Sequence, residues 1–142
     1  NMVAVILALP LGKISDKIGR EKLIIAGFLI YAGVYYFFGK YNSIHVFIFL
    51  FMLYGFYSAL TDSSQKALVS DIVSKNLKGT GFGLYHAVLG IALLPASLIA
   101  GLLYDRVNAN APFYFGSAMA LFAAVMMIFF AVTKKKSGYN EQ

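Results

Sequence analysis

Gly12-Lys13-Ile14-Ser15-Asp16-Lys17-Ile18-Gly19-Arg20-Glu21-Lys22 is a basic stretch set between two apolar runs. Its four cations, Lys13, Lys17, Arg20 and Lys22, are too costly to place in hydrocarbon, so the stretch reads as a loop at a membrane surface, residues 12–22. Upstream, residues 2–11 give only about half of the ~20 apolar residues that a crossing needs, and residues 1–11 read as the inner end of a truncated transmembrane helix. Downstream, residues 23–41 make a full span if the Lys40 ammonium snorkels to the interface. Asn42-Ser43 is a tight turn, and residues 44–73 form a span with a polar inner extension that keeps helical spacing. Residues 81–104 and 111–132 are two further spans, and residues 133–142 are a basic tail.

The composition agrees with a membrane setting: 60% of residues are hydrophobic and 13% charged, about half the charged share of an ordinary soluble domain. Continuous apolar runs, without strand alternation, exclude a membrane barrel and predict an all-α membrane protein in a lipid bilayer. A net charge of +6 would ordinarily raise nucleic acid as a partner, but the cations cluster in short loops between the spans, so none is expected. Orientation explains them. With the first loop inside, the cytoplasmic side carries Lys13, Lys17, Arg20, Lys22, Lys66, Lys75, Lys78, Lys134, Lys135 and Lys136, and the outside keeps Lys40 and Arg106. Asn1 opens directly into an apolar run with no basic leader, so the chain reads as part of a longer protein whose N-terminal part is a partner.

The polar residues within the spans fall into two stripes. Tyr54, Ser58, Thr61, Asp62, Gln65 and Lys66 share one helical face, which should meet protein or water. Tyr54 lies ~15 Å and Asp62 ~27 Å from the outer end, so the tyrosine is near mid-depth and the aspartate near the inner interface. Tyr54 and Ser58 are therefore candidate cavity residues. Asp62 reads either as a membrane-buried proton carrier, which its depth disfavours, or as an ion-pair partner of Lys66 or Arg20. The second stripe is Gly83, His86, Gly90, Leu94, Ser97, Gly101 and Asp105, where small residues would let a neighbouring helix approach closely. His86 is a further cavity candidate, and Pro95 should kink its helix. Tyr31, Tyr35, Tyr36, Phe37 and Phe38 read as interfacial aromatics and not as a binding cage. His45 and His86 lie on opposite sides of the membrane, no paired carboxylates occur and cysteine is absent, so no enzymatic site, metal or cofactor is expected.

The loop pattern Gly12-x-x-x-Asp16-Lys17-x-Gly19-Arg20-x-Lys22 resembles the signature turn of the major facilitator superfamily, departing at Glu21, where that family favours a cation. The stretch from Tyr54 through Asp71, followed by Gly79-Thr80-Gly81-Phe82-Gly83-Leu84-Tyr85-His86, looks like helices ten and eleven of bacterial members, and the four spans after the loop fit helices nine to twelve. The resemblance implies part of the C-terminal six-helix bundle of a secondary transporter in the cell membrane. Such a protein moves a small-molecule substrate by alternating access, with ion coupling. It further implies that Gly12, Asp16, Lys17, Gly19 and Arg20 belong to a conformational gate, Asp16 facing a helix N-terminus and Arg20 pairing with Asp62 first or Asp71 as the alternative. A non-transporting assembly subunit and a small dimeric transporter are the competing readings. The latter is disfavoured because no span carries an acid near its middle.

The orientation is testable because the chain has no cysteine of its own. Single cysteines at Ser74 and Ser137 should react with an impermeant thiol reagent only from the cytoplasm, and one at Asn42 only from outside. Reversal of any one of these labels would break the alternation.

Overall fold

The computed structural model describes the backbone of residues 19–139 and the side chains of residues 19–133. Four helices follow one another: α1 (Arg20–Lys40), α2 (Ile44–Ile72), α3 (Lys78–Arg106) and α4 (Ala111–Tyr139), with a 3-10 turn, Lys75–Leu77, between α2 and α3. Each is long and apolar enough to cross a membrane, and no strand occurs among the described residues. The observed class is therefore the all-α membrane class. The shortest helix, α1, has 21 residues, which at 1.5 Å per residue spans about 31 Å, close to the ~30 Å of hydrocarbon in a bilayer.

Local chemistry sets the ends. Gly19, immediately before α1, has a φ of 99°, a left-handed conformation that residues with a Cβ resist. Space around it is open, so the backbone conformation and not crowding calls for glycine. Extended backbone at Tyr41 and Ser43 breaks the chain between α1 and α2, and Lys40 in the last turn of α1 places a cation against the negative end of the helix. Helix α3 continues through Pro95, whose missing N–H leaves the Ile91 carbonyl without its usual partner. Helix α4 extends beyond residue 132, through the three lysines to Tyr139, since lysine is a good helix former and nothing there breaks the ladder.

Helix α1 is the centre, packed against α2 on one side and α4 on the other, while α3 touches α2 and α4 more lightly. Lipid tails are as apolar as leucine, so helices in a bilayer associate through close packing and hydrogen bonds more than through water exclusion. Both are visible here. At the α1–α2 seam Leu23, Ala59 and Leu60 are buried together, with Ile30 and Phe56 against them, and Val34, Phe38 and Leu50 form a second cluster nearer the turn between the two helices. A Cβ on Gly27 would stand 2.2 Å from Thr61 Oγ1, so this glycine lets α2 approach the α1 backbone. At the α1–α4 seam the Ser117 hydroxyl donates to the Ala32 carbonyl at 2.7 Å and the Tyr114 hydroxyl donates to the Gly39 carbonyl at 3.0 Å. A Cβ on Gly116 would stand 2.7 Å from the Tyr35 ring.

Among the described helices the close approaches fall at Gly27 and Gly116, outside the α3 stripe. An added Cβ at Gly83, Gly90 or Gly101 would meet no described atom within 4 Å, and α3 buries no residue at all. The stripe runs along a face of α3 that no described helix covers. The small residues that do pack are Gly116, Ser117, Ala120 and Ala124 on α4, spaced so that all four share one face.

This difference predicts a graded response to alanine in the purified full-length protein. Gly33→Ala, with no atom within 4 Å of the new methyl, should gain helix propensity without contact. Relative to it, Gly27→Ala and Gly116→Ala should be less stable by about 1–3 kcal/mol, the usual range for overpacking, read as lowered thermal midpoints in detergent. Equal midpoints for all three would mean that the seams are loose.

Candidate functional site

At the α1 N-terminal end of the bundle Arg20 opens that helix and reaches the last turns of α2. Its guanidinium donates to the Ala67 carbonyl and forms an ion pair with Asp71, the arginine side chain being 23% exposed and the aspartate 54%. Asp71 was the alternative partner in the sequence; Asp62 was the first choice. Register explains the correction. The Gly27–Thr61 approach sets α2 so that Arg20 lies beside Ala67, and Asp71, four residues on, shares that face. Asp62 is five residues back, turned by about 140°, and instead accepts a hydrogen bond from Ser58 Oγ at 3.3 Å. Lys78, the first residue of α3, donates to Ser70 Oγ at 2.9 Å, so the start of α1, the end of α2 and the start of α3 are tied at the neighbouring residues Ser70 and Asp71 of α2. Gly12, Asp16 and Lys17 lie outside the described residues.

Deeper in the bundle the polar stripe of α2 divides. Thr61 is buried against α1, while Gln65 accepts a hydrogen bond from the Tyr85 hydroxyl of α3 at 2.8 Å. Tyr54 turns toward α1 and joins a group of four tyrosines. Tyr31 and Tyr35 stack at 4.0 Å between ring centroids, Tyr31 meets Tyr57 at 4.9 Å, and Tyr57 meets Tyr54 at 5.5 Å. These rings line a cleft of about 690 Å³ that opens between all four helices. Helix α3 contributes only Ala96, Ser97 and Ala100, and α4 contributes Pro112, Phe113, Phe115, Met119 and the small residues Gly116 and Ala120, so the tyrosines supply most of the hydroxyl groups. On the other side of Tyr35 and Tyr54 a smaller groove, about 280 Å³, is walled by phenylalanines.

Of the candidate cavity residues, the structure brings only Tyr54 to the cleft. Ser58 is half-buried and turned to Asp62, and His86 is exposed, its ring edge-on to Tyr85 at 5.1 Å. One position along a helix rotates a side chain by about 100°, which is why Tyr85 meets α2 and its neighbour does not. Tyr31, Tyr35 and Tyr57 were missed. Composition places the run from Tyr31 to Phe38 at the interface, yet within it only Tyr36 and Phe37 are exposed, while Tyr31 and Tyr35 turn inward. A signal did exist: Tyr31 and Tyr35 are four apart, Tyr54 and Tyr57 three apart, each pair marking one face near mid-span. Among the described residues no cluster of three or more His, Cys, Asp or Glu side chains could hold a metal.

The comparisons with known proteins bear on a helical membrane protein of this kind. Residues 2–142 match the Major Facilitator Superfamily. The chain is similar to an uncharacterized MFS-type transporter of Methanocaldococcus jannaschii, 37% identical over 129 residues, covering 91% of this chain and 32% of that protein. It is similar to multidrug resistance protein 2 of Bacillus subtilis, 30% identical over 83% of this chain and 29% of that protein. It is also similar to the quinolone resistance protein NorA of Staphylococcus aureus, 24% identical over 89% of this chain and 32% of that protein. The chain spans about a third of the length of the curated relatives it matches. With a match over nearly its whole length and, among the described residues, four helices long and apolar enough to cross a membrane, this multi-pass chain belongs to the major facilitator superfamily.

Proposed function

We propose that the chain is the C-terminal third of a secondary transporter that carries a small molecule across the cell membrane by alternating access, drawing on an ion gradient. The observation that carries the reading is the tyrosine-lined cleft between four membrane-crossing helices, closed toward one end by the ties among Arg20, Asp71, Lys78 and Ser70. The family match and the relatives named for multidrug and quinolone resistance support a transporter and not an enzyme. In this reading the loop and the basic tail face the cytoplasm, as the cation distribution requires.

The rest of the transporter supplies the second moving body. Helix α3 supports that part of the proposal, since Ile91 and Leu94 are 71% and 72% exposed and its small-residue face is uncovered by any described helix. That face would pack on the remaining helices. Arg20 and Asp71 then act as a gate element: they hold the inner ends of α1 and α2 together, and the surface so formed is what the other body closes against. Gly19 gives the turn into α1 its left-handed backbone and so aims Arg20.

Magnitude limits what the gate does. An ion pair this exposed to solvent is worth about 0.2–1 kcal/mol, which shifts a two-state population by about 1.5- to 5-fold. In proteoliposomes of the full-length transporter, Arg20→Ala and Asp71→Ala should each lower initial transport rates by about that factor. The exchange Arg20→Asp with Asp71→Arg should recover part of the loss, and Asp62→Asn should change rates by less than either. Full activity in both single variants would show the pair to be decorative, and a larger loss with Asp62→Asn would return the gate to that residue.

A further inference from the structure

Thr61 departs from what the other hydroxyls of its kind do. In an apolar helix a Ser or Thr hydroxyl commonly donates to the carbonyl four residues back. Ser63, on the same helix, donates to the Ala59 carbonyl at 2.7 Å, and Thr133 donates to the Phe129 carbonyl at 2.9 Å. Thr61 instead points across the seam to Gly27 of α1, where its Oγ1 leaves no room for a Cβ. The residue is 1% exposed, and its hydroxyl oxygen has no hydrogen-bond partner among the described residues. The chain itself encloses that oxygen, so no group from the rest of the transporter reaches it while the seam is closed. We infer that Thr61 and Gly27 form a two-position latch between α1 and α2. In the position seen here the hydroxyl lies against Gly27; in the other, after a turn about χ1 and a parting of the seam, it donates to the Tyr57 carbonyl.

The two positions satisfy different groups. In the closed one a Gly27 Cα–H points at Oγ1 and gives the oxygen a weak contact, while Leu23, Ile24, Ala59 and Leu60 are buried in the helices on either side. The hydroxyl hydrogen is left over. Sealed from water, it carries a cost that a valine of the same shape would not have. In the released position that cost disappears and the close packing is lost. Threonine in a helix has two favoured χ1 settings because its hydroxyl can reach the carbonyl one turn back, so the change needs no unusual rotamer. A closed seam with a built-in cost also opens more readily than a fully satisfied one. Position ties the latch to both polar features of the bundle. A Cβ on Gly27 would also lie 3.6 Å from the ring of Tyr57, a residue of the cleft, and the Thr61 contact sets the register in which Ala67 and Asp71 meet Arg20. Release of Thr61 therefore frees Tyr57 and loosens the Arg20 tie together.

The inference rests on the proposed function only for calling the release a step of transport; opening of the seam can be measured without flux. Ser64, three residues after Thr61 on the same face of α2 and 1% exposed, reports that opening. With Ser64→Cys as the sole cysteine of the full-length protein, the rate of reaction with N-ethylmaleimide follows the open fraction. Adding Thr61→Val should slow labelling by about tenfold, the population shift expected when an unsatisfied hydroxyl of ordinary cost is removed. Thr61→Ser keeps the hydroxyl and should stay within about twofold of the parent. A purely structural role would give the reverse order, because valine keeps the threonine shape and serine leaves a cavity. Gly27→Ala should speed labelling by about tenfold by forcing the release, and Gly27→Ala with Thr61→Ala, which makes room for the new methyl, should slow it again. If Gly27→Ala fails to fold, the comparison of valine with serine decides alone. Labelling of Thr61→Val equal to or faster than that of the parent would overturn the latch. Slowed labelling with undiminished transport in Thr61→Val would uphold the latch and count only against its part in the transport cycle.

Discussion

Close backbone approach along α1 is the constraint on which the rest of the bundle depends. Two helices that meet in lipid have no water to expel, so they must touch over many atoms or share hydrogen bonds. At Gly27 the α1 surface is low enough for Thr61 to enter, and at Gly39 it is low enough for the Tyr114 ring to lie across the helix and donate to the carbonyl. Ser117 does the same at Ala32. These contacts place α2 and α4 on opposite sides of α1 and leave a gap between them, and that gap is the cleft.

The polar chemistry follows from the register those contacts impose. With Thr61 opposite Gly27, the last turns of α2 bring Ala67 and Asp71 to Arg20, and Asp62 turns away. The same rotation presents Gln65 to Tyr85 and Tyr54 and Tyr57 to Tyr31. Thr61 itself has a buried hydroxyl oxygen without a hydrogen-bond partner among the described residues, a local cost accepted where α1 and α2 come closest. Ser64, also buried, and Ser63, whose hydroxyl donates to the Ala59 carbonyl, keep polar groups within the same helix wall.

Helix α3 behaves differently. It buries no residue, it meets the other helices through Lys78 and Tyr85 near its start and borders the cleft with Ala96, Ser97 and Ala100, and its large apolar side chains are open. Such a helix offers an open apolar surface, the one that the proposed function gives to the second moving body. The ability of Pro95 to loosen α3 at mid-span acts on this same loosely held element.

The sequence by itself determined the class, the presence of four crossing helices and their family, because apolar length, cation placement and the Gly19-Arg20 turn are local properties that do not depend on what packs where. It also narrowed the acid for Arg20 to two positions on α2. Rotation about each helix axis was beyond it. A span that is apolar on all sides carries little periodic signal, so the sequence could not tell that Tyr31 and Tyr35 turn inward while Tyr36 and Phe37 turn out, or that Gly27 and Gly116 take close contacts among the described helices. Tertiary structure decided these, since only the meeting of α1 with Thr61 and Ser117 fixes which face of each helix looks at the others.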